Sequence, residues 1–260
     1  MISKNQMKRV KRLENKKYRS EAGLFVAEGP KVVGNLCEVM TPQTIISTPD
    51  FHPSRLPAAA GYEHIEVSAE ELRQISFLQH PQQVMGIFRQ PVITDAEREA
   101  ALSSACTRHV LALDGIQDPG NLGTIIRIAD WFGIRTIVCS PDTTDVWNPK
   151  VVQATMGSIA HVSVLYEPLP SWLMTLRSDT PIYGTLLDGD NIYATPLSDH
   201  GVIVMGNEGN GISEPVRRLV NSRLLIPCFS DETHHAESLN VAIATAIVCS
   251  EMRRSSGMKI

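Results

Sequence analysis

Residues 202–213 read VIVMGNEGNGIS, residues 222–227 read SRLLIP and residues 237–246 read ESLNVAIATA. The four residues 202–205 are a short apolar run of the kind a buried parallel strand requires. The run stops at Gly206-Asn207-Glu208-Gly209-Asn210-Gly211, where glycine allows positive φ and close backbone approach. Ser213 stands where a helix through Val220 would be capped, with Pro215 tolerated in the first turn. A strand over 224–226 ends at Pro227, and a second loop leads through Glu237-Ser238-Leu239-Asn240 into a helix rich in Val, Ala and Ile. Two polar loops thus leave neighbouring strand ends, where open parallel sheets bind their ligands. A glycine loop in that place is equally what an ordinary strand-to-helix turn looks like, so the surrounding sequence has to decide.

Upstream, residues 113–133 read LDGIQDPGNLGTIIRIADWFG. Asp118-Pro119-Gly120 makes a turn, Asn121 can cap, and Leu122, Ile125, Ile126 and Ala129 form one apolar helical face opposite Gly120, Gly123, Thr124 and Arg127. The common phosphate cradles are missing. Gly115 and Gly120 have the spacing of a G-x-x-x-x-G-K-[ST] loop, but Asn121 stands where its lysine must reach the phosphates, and no G-x-G-x-x-G follows the strand at 110–113. Strands at 110–113, 136–139, 162–165, 182–187, 202–205 and 224–226, with helices between them, give an α/β domain with a parallel sheet covered on both faces, over residues 109–260.

Taken in order, N-L-G-T-I-I-R (121–127), I-V-M-G-N-E-G-N-G-I-S (203–213) and I-P…S-L-N-V (226–241) resemble the three motifs of the SpoU (TrmH-like) RNA ribose 2′-O-methyltransferases of the SPOUT class. N-P-K-V-V-Q-A-T-M-G at 148–157 looks like that family's P-K-V-V-R-A-S-x-G, with Gln153 in place of the more usual arginine. The resemblance implies a SPOUT-type domain with a deep C-terminal trefoil knot from about Val202 onward, a homodimer packed through it, and S-adenosylmethionine as cofactor. It places the cofactor on backbone groups at Gly206, Ile226 and Leu239, with Leu187 near the preceding strand's end. Arg127 matches the arginine assigned to activating the 2′-hydroxyl, and Asn121, Glu208, Ser238 and Asn240 match the other polar positions. An arginine stays protonated, so its first role reads as gripping the neighbouring phosphate and polarising the hydroxyl. Each of the four other polar residues also reads as a cap or turn residue, Asn240 as a helix opener. For Gly206 the physical reason is that a side chain would intrude where a ligand approaches.

The net charge of −4 hides an asymmetry. Lys4, Lys8, Arg9, Lys11, Arg12, Lys16, Lys17 and Arg19 face only Glu14 among the first twenty residues, a net +7, so the remainder carries −11. Such a run is either a solvated helix face or a phosphate-contacting arm; its density favours the arm, and the resemblance implies that its partner is structured RNA, ribosomal or transfer. Residues 1–92 make this arm and a small α/β domain, with a capping box at Ser68-x-x-Glu71. That domain resembles the ribosomal-protein-like (L30e-type) substrate domain of many family members, and Glu28-Gly29-Pro30 within it reads as a turn. Residues 93–108, polar and alanine-rich, read as a linker with helical character.

Five cysteines without a C-x-x-C argue against a disulfide framework. The charged first twenty residues do not read as a signal peptide, and the longest apolar stretch, 239–249, is too short to span a bilayer, which makes the cytoplasm the expected compartment. His234-His235 with Cys228, Asp231, Glu232 and Glu237 fits no standard zinc spacing, so no metal is expected. The same segment, 229–236, makes the connection between Ile226 and Leu239 longer than the family's usual one. Two other classes stay open at this point: a SPOUT-like RNA-binding or ribosome-assembly factor without catalysis, and a dinucleotide-dependent enzyme. The intact motif residues argue against the first, the missing phosphate fingerprint against the second.

Overall fold

The structure, a computed structural model, describes residues 2–52, 54, 56, 61–230 and 238–255. The chain forms two compact units, residues 1–92 with 145–160, and residues 93–144 with 161–260.

The first unit opens with α1 (Lys4–Arg12) and α2 (Lys16–Ala22). It continues as β1 (Leu24–Glu28), α3 (Pro30–Val39), β2 (Thr44–Ser47), β3 (Glu63–Glu66), α4 (Ala69–Ile75) and β4 (Val84–Arg89). The sheet runs β1-β4-β2-β3, with β4 antiparallel to both neighbours and β2 parallel to β3. The basic arm is part of this fold. On α1 and just after it, Val10 and Leu13 are buried with Val26, Ile46, Leu72 and Met85, because an amphipathic stripe places its apolar residues on the sheet and its lysines in water. Lys4, Lys8, Arg9, Lys11, Arg12, Lys16 and Lys17 are exposed. Arg19 is not. It is 2% exposed, and its Nε and Nη2 donate to Asp145 Oδ2 at 3.2 and 2.5 Å while Nη1 donates to the Leu13 and Glu14 carbonyls at 2.8 and 2.6 Å. The expectation that Arg19 contacts RNA is therefore corrected: its guanidinium is consumed in holding the turn between α1 and α2.

In the second unit the chain runs through α5 (Asp95–Ser104), β5 (His109–Asp114), α6 (Pro119–Trp131) and β6 (Thr136–Cys139). The next helix, α7 (Pro149–Ala154), belongs to the first unit, where the Trp147 ring packs tilted against Phe25 with ring centroids 4.4 Å apart. The stretch 145–160 thus packs with the substrate-type unit, although the order of the sequence puts it within 109–260. The chain then completes the second unit with β7 (Ser163–Tyr166), α8 (Leu169–Met174), β8 (Ile182–Asn191), β9 (Gly201–Gly206), α9 (Glu214–Arg217), β10 (Ser222–Leu225) and α10 (Val241–Ser255). Residues 93–108 are more than a connector: Thr94 and Glu97 form a capping box on α5, and Ala101 and Ala105 are buried.

Among the described residues the second unit's six strands are all parallel, in the order β10-β8-β9-β5-β6-β7. The α/β architecture with a parallel sheet that the sequence announces is what the chain forms. Strand alternation divides the core. Val110, Ala112, Val202 and Val204 join Leu169, Trp172 and Val216 on one face. Leu111, Leu113, Ile203 and Met205 point the other way, where α6 and α10 pack on each other, α6 reaches β6 and α10 reaches β9. Details shift from the sequence reading. The helix after Ser213 lasts only Glu214–Arg217, and β10 changes register on β8 between Arg223 and Leu224. Gly189 is required at that shift, since a Cβ there would lie 2.6 Å from the Leu224 carbonyl carbon. Among the described residues no helix is long and apolar enough to cross a membrane.

Candidate functional site

β5 and β9 are central neighbours and end in register, Asp114 opposite Gly206, so their loops leave the sheet at one level. Asp114 Oδ2 accepts from the Ser213 amide at 2.7 Å, and the Gly115 carbonyl accepts from Asn207 Nδ2 at 2.7 Å. Ser213 occupies the cap position of α9 without a side-chain capping bond; its amide is used to bind the loops together instead. Asn207 organises the glycine loop from inside. Its Oδ1 accepts the amides of Gly209 and Asn210 at 2.9 Å each, and its backbone pairs twice with Gly211. Sequence reading missed Asn207, although an asparagine heading a glycine-rich turn is the usual signal for such a side-chain turn.

The glycines have distinct causes. A Cβ on Gly206 would lie 2.3 Å from the Gly211 carbonyl carbon and from the Ile212 nitrogen. The loop's own backbone, rather than an approaching ligand, excludes a side chain there, which corrects the reason given by the sequence. Gly211 takes φ +68 with open space around it.

Three motif residues meet. Asn121 Nδ2 donates to Glu208 Oε1 at 2.8 Å, and Asn240 Nδ2 donates to Asn121 Oδ1 at 2.9 Å. Asn121 is free to do this because Asp118 caps α6, accepting the Asn121 amide at 2.8 Å; the sequence reading of Asn121 as the cap is corrected. Asn240 does two jobs, since its Oδ1 also accepts the Ala242 amide at 2.9 Å and opens α10. Glu208, Asn121 and Asn240 therefore tie the loop after β9, the start of α6 and the start of α10 into one chain of amide and carboxylate groups. Arg127 lies two turns along α6 from Asn121, exposed, and its guanidinium has no partner among the described residues. Gly123, expected beside it on the open stripe, is buried.

The apolar positions assigned to the cofactor are held in the open. Leu187 on β8 is 77% exposed, Leu239 is 49% exposed, and Ile226 just after β10 is half-buried. Leucines left in solvent, one midway along β8 and one just ahead of α10, fit contact with a ligand that has an apolar face and polar edges. Ser238 is exposed and makes no hydrogen bond among the described residues. Of the histidine-rich segment, His234, His235, Asp231, Glu232 and Glu237 lie outside the described residues, while Cys228 is exposed.

Residues 108–250 match the model of the SpoU rRNA Methylase family. The chain belongs to that family. Residues 4–86 match the MRM3-like substrate binding domain, a more specific likeness than the ribosomal-protein-like one drawn from sequence. A relative from Bacillus subtilis (strain 168), the 23S rRNA (guanosine(2553)-2′-O)-methyltransferase RlmP, is 31% identical across 96% of this chain and 97% of its own. Among solved structures, a putative RNA methyltransferase of the TrmH family from Porphyromonas gingivalis has TM-score 0.87 and 37% identity over 98% of this chain and 99% of its own. An AdoMet-bound rRNA methyltransferase from Sinorhizobium meliloti has TM-score 0.82 and 30% identity over 98% of this chain and 97% of its own. The three motifs sit inside the matched span, and the loops they form are the ones stitched together above.

Proposed function

We propose that this protein methylates a ribose 2′-hydroxyl of structured RNA, ribosomal RNA in the first instance, using S-adenosylmethionine. The observation that carries the reading is the Asn240–Asn121–Glu208 chain, which draws all three family motifs to one end of the sheet and leaves Arg127 uncommitted on the same helix. Names of near full-length relatives support the ribosomal substrate. Bound S-adenosylmethionine supplies an activated methyl group on its sulfonium.

The protein's own residues hold and orient. The loops at Gly206, Ile226 and Leu239, with Leu187, offer the cofactor backbone polar groups and apolar contact. A guanidinium is a donor and a poor base, so Arg127 grips the phosphate beside the target ribose and polarises the hydroxyl by hydrogen bonding rather than taking the proton. Glu208, Asn121 and Asn240 keep the loops in the geometry that puts hydroxyl and methyl carbon at near-attack distance, where most of the rate of such a displacement originates, and Ser238, exposed beside them, is placed to touch the RNA. Seven exposed cations on α1 and α2 supply phosphate contacts for the RNA. The same reading carries a cytoplasmic homodimer knotted through the C-terminal region.

The test pairs calorimetry with chemistry. S-adenosylmethionine should bind and NAD should not, and ribosomal RNA from a deletion strain should accept one methyl group at a mapped ribose in a single turnover. Cofactor binding without transfer to any RNA of that strain would favour the non-catalytic factor, and NAD binding would sink both. A monomeric mass by light scattering at micromolar concentration would contradict the dimer.

A further inference from the structure

A cavity of about 550 Å³ opens within the first unit, in the size range of ligand pockets. Its floor is aliphatic, with Leu24, Ile46, Ile65 and Ile87 from the sheet and Val10 and Leu13 from the helical arm. Its rim is polar. The Arg12 guanidinium carbon lies 4.2 Å from the centroid of the Tyr18 ring and Nη2 donates to the Tyr18 hydroxyl at 2.9 Å, which makes a cation–aromatic pair. Arg9 stands beside it, exposed and with no partner among the described residues. Across the opening, Glu63 on the edge strand β3 holds its two carboxylate oxygens against Gln6 Nε2 at 3.4 Å and Thr44 Oγ1 at 3.3 Å. Both contacts are long, and each oxygen keeps lone pairs for another donor.

We propose that this cleft takes an unpaired guanine of the RNA, stacked along the aliphatic floor and the Arg12–Tyr18 pair, with its Watson–Crick edge on the Glu63 carboxylate. The inference rests on the reading of the protein as an RNA enzyme and adds where, and by what base, the first unit recognises its substrate. Proteins read single-stranded RNA by stacking splayed bases on aromatic rings and guanidinium planes and bonding their edges. A carboxylate accepts only. Guanine is the base whose Watson–Crick edge presents two adjacent N–H donors, at N1 and N2, so it alone engages both oxygens; adenine, cytosine and uracil each set a donor beside an acceptor. The flanking phosphates meet Lys4, Lys8, Arg9 and Lys11, all exposed on α1, and this charge complementarity selects a nucleic acid over an apolar peptide as the occupant.

The experiment measures fluorescence anisotropy of the full chain with the labelled RNA pentamers UUGUU, UUAUU, UUCUU and UUUUU at low salt. The wild type should prefer UUGUU by about tenfold or more, the scale of one good bidentate base contact. Glu63→Gln preserves volume and replaces one acceptor by a donor, so the ratio of UUGUU to UUUUU should fall close to one, even though losing a negative charge tightens all four. Ile65→Trp fills the cleft from the edge strand and should bring all four pentamers to one weak, salt-dependent affinity. Equal binding of the four by the wild type, or a guanine preference that survives Glu63→Gln, overturns the proposal. Glu63→Gln lies at an exposed position and keeps the test decisive if Ile65→Trp does not fold. Methylation of ribosomal RNA by a wild type that shows no guanine preference would refute the cleft alone and leave the methyltransferase reading standing.

Discussion

The glycine loop after β9 offers a test in which three chemically identical substitutions should give three different results. At Gly206 an added Cβ would sit 2.3 Å from the Gly211 carbonyl carbon and the Ile212 nitrogen and 2.6 Å from the Gly211 oxygen. Carbon atoms are comfortable at about 3.5–4.0 Å, so the facing backbone must retreat by about 1 Å or more. That retreat pulls apart the paired Asn207–Gly211 backbone hydrogen bonds, 2.9 Å each. Overpacking costs roughly 1–3 kcal/mol and each of the two hydrogen bonds about 1 kcal/mol net, which together put Gly206→Ala at about 3–5 kcal/mol of destabilisation. Gly211→Ala meets open space but forces alanine to φ +68, a cost of about 1–2 kcal/mol. Gly209→Ala meets only Asn207 Oδ1 at 3.6 Å and should stay within about 0.5 kcal/mol of wild type. Urea unfolding gives the magnitudes, and amide hydrogen exchange of peptides from 201–213 locates them. Calorimetry should find S-adenosylmethionine binding lost in Gly206→Ala and kept in Gly209→Ala. A Gly206→Ala protein as stable as wild type, or a Gly209→Ala protein as damaged as Gly206→Ala, would refute the argument that the loop's own backbone sets the glycine requirement.

Arg127→Lys keeps the charge and loses the planar fork that can hold phosphate and hydroxyl together, so single-turnover methylation should slow by about a hundredfold or more while cofactor affinity holds; an unchanged rate would make Arg127 a structural residue. Asp145→Ala leaves the Arg19 guanidinium buried and uncompensated, and should destabilise the first unit by about 3–5 kcal/mol in a denaturant titration followed through Trp147; a neutral result would mean that the pair adds nothing. His109 is buried with Nε2 3.1 Å from the Ser198 carbonyl oxygen, and burial, then Arg253, push its pKa from 6.5 down to about 4, against the Ser198 bond and Asp199. The unfolded chain therefore binds the extra proton first, so stability should fall as pH drops from 6.5 towards 4, by up to about 3 kcal/mol, and His109→Gln should lose this part of the pH dependence.

What the sequence shows of the second unit it shows for a local reason. The apolar runs of β5 and β9 are fully buried strands, and a strand with no solvent face announces itself whatever its neighbours do. The placing of Asn121, Glu208 and Asn240 was legible only as three motifs in order, since their 87- and 119-residue separations put the contact beyond any periodicity. The cause of Gly206 was illegible for a related reason. Its conflict is with Gly211 and Ile212, and only a loop closed by Asn207 brings those atoms within reach.

The basic arm shows where charge misleads. Counting lysines and arginines treats each as a free cation, but burial of Val10 and Leu13 fixes which side of α1 faces the sheet, and the turn into α2 then carries Arg19 to Asp145, 126 residues away. A guanidinium that spends four of its five N–H donors on two carbonyls and a carboxylate, and is 2% exposed, does not reach phosphate in the folded unit. Deleting residues 1–20 is consequently no test of RNA binding, because it removes core residues along with the cations. Replacing Lys4, Lys8, Lys16 and Lys17 by glutamine is such a test: if the exposed face neutralises RNA phosphates, the slope of log affinity against log salt should become shallower by about 0.7–0.9 for each phosphate no longer neutralised, with unfolding by urea unchanged. An unaltered slope would return the arm to a purely structural role, with Arg19 as its anchor.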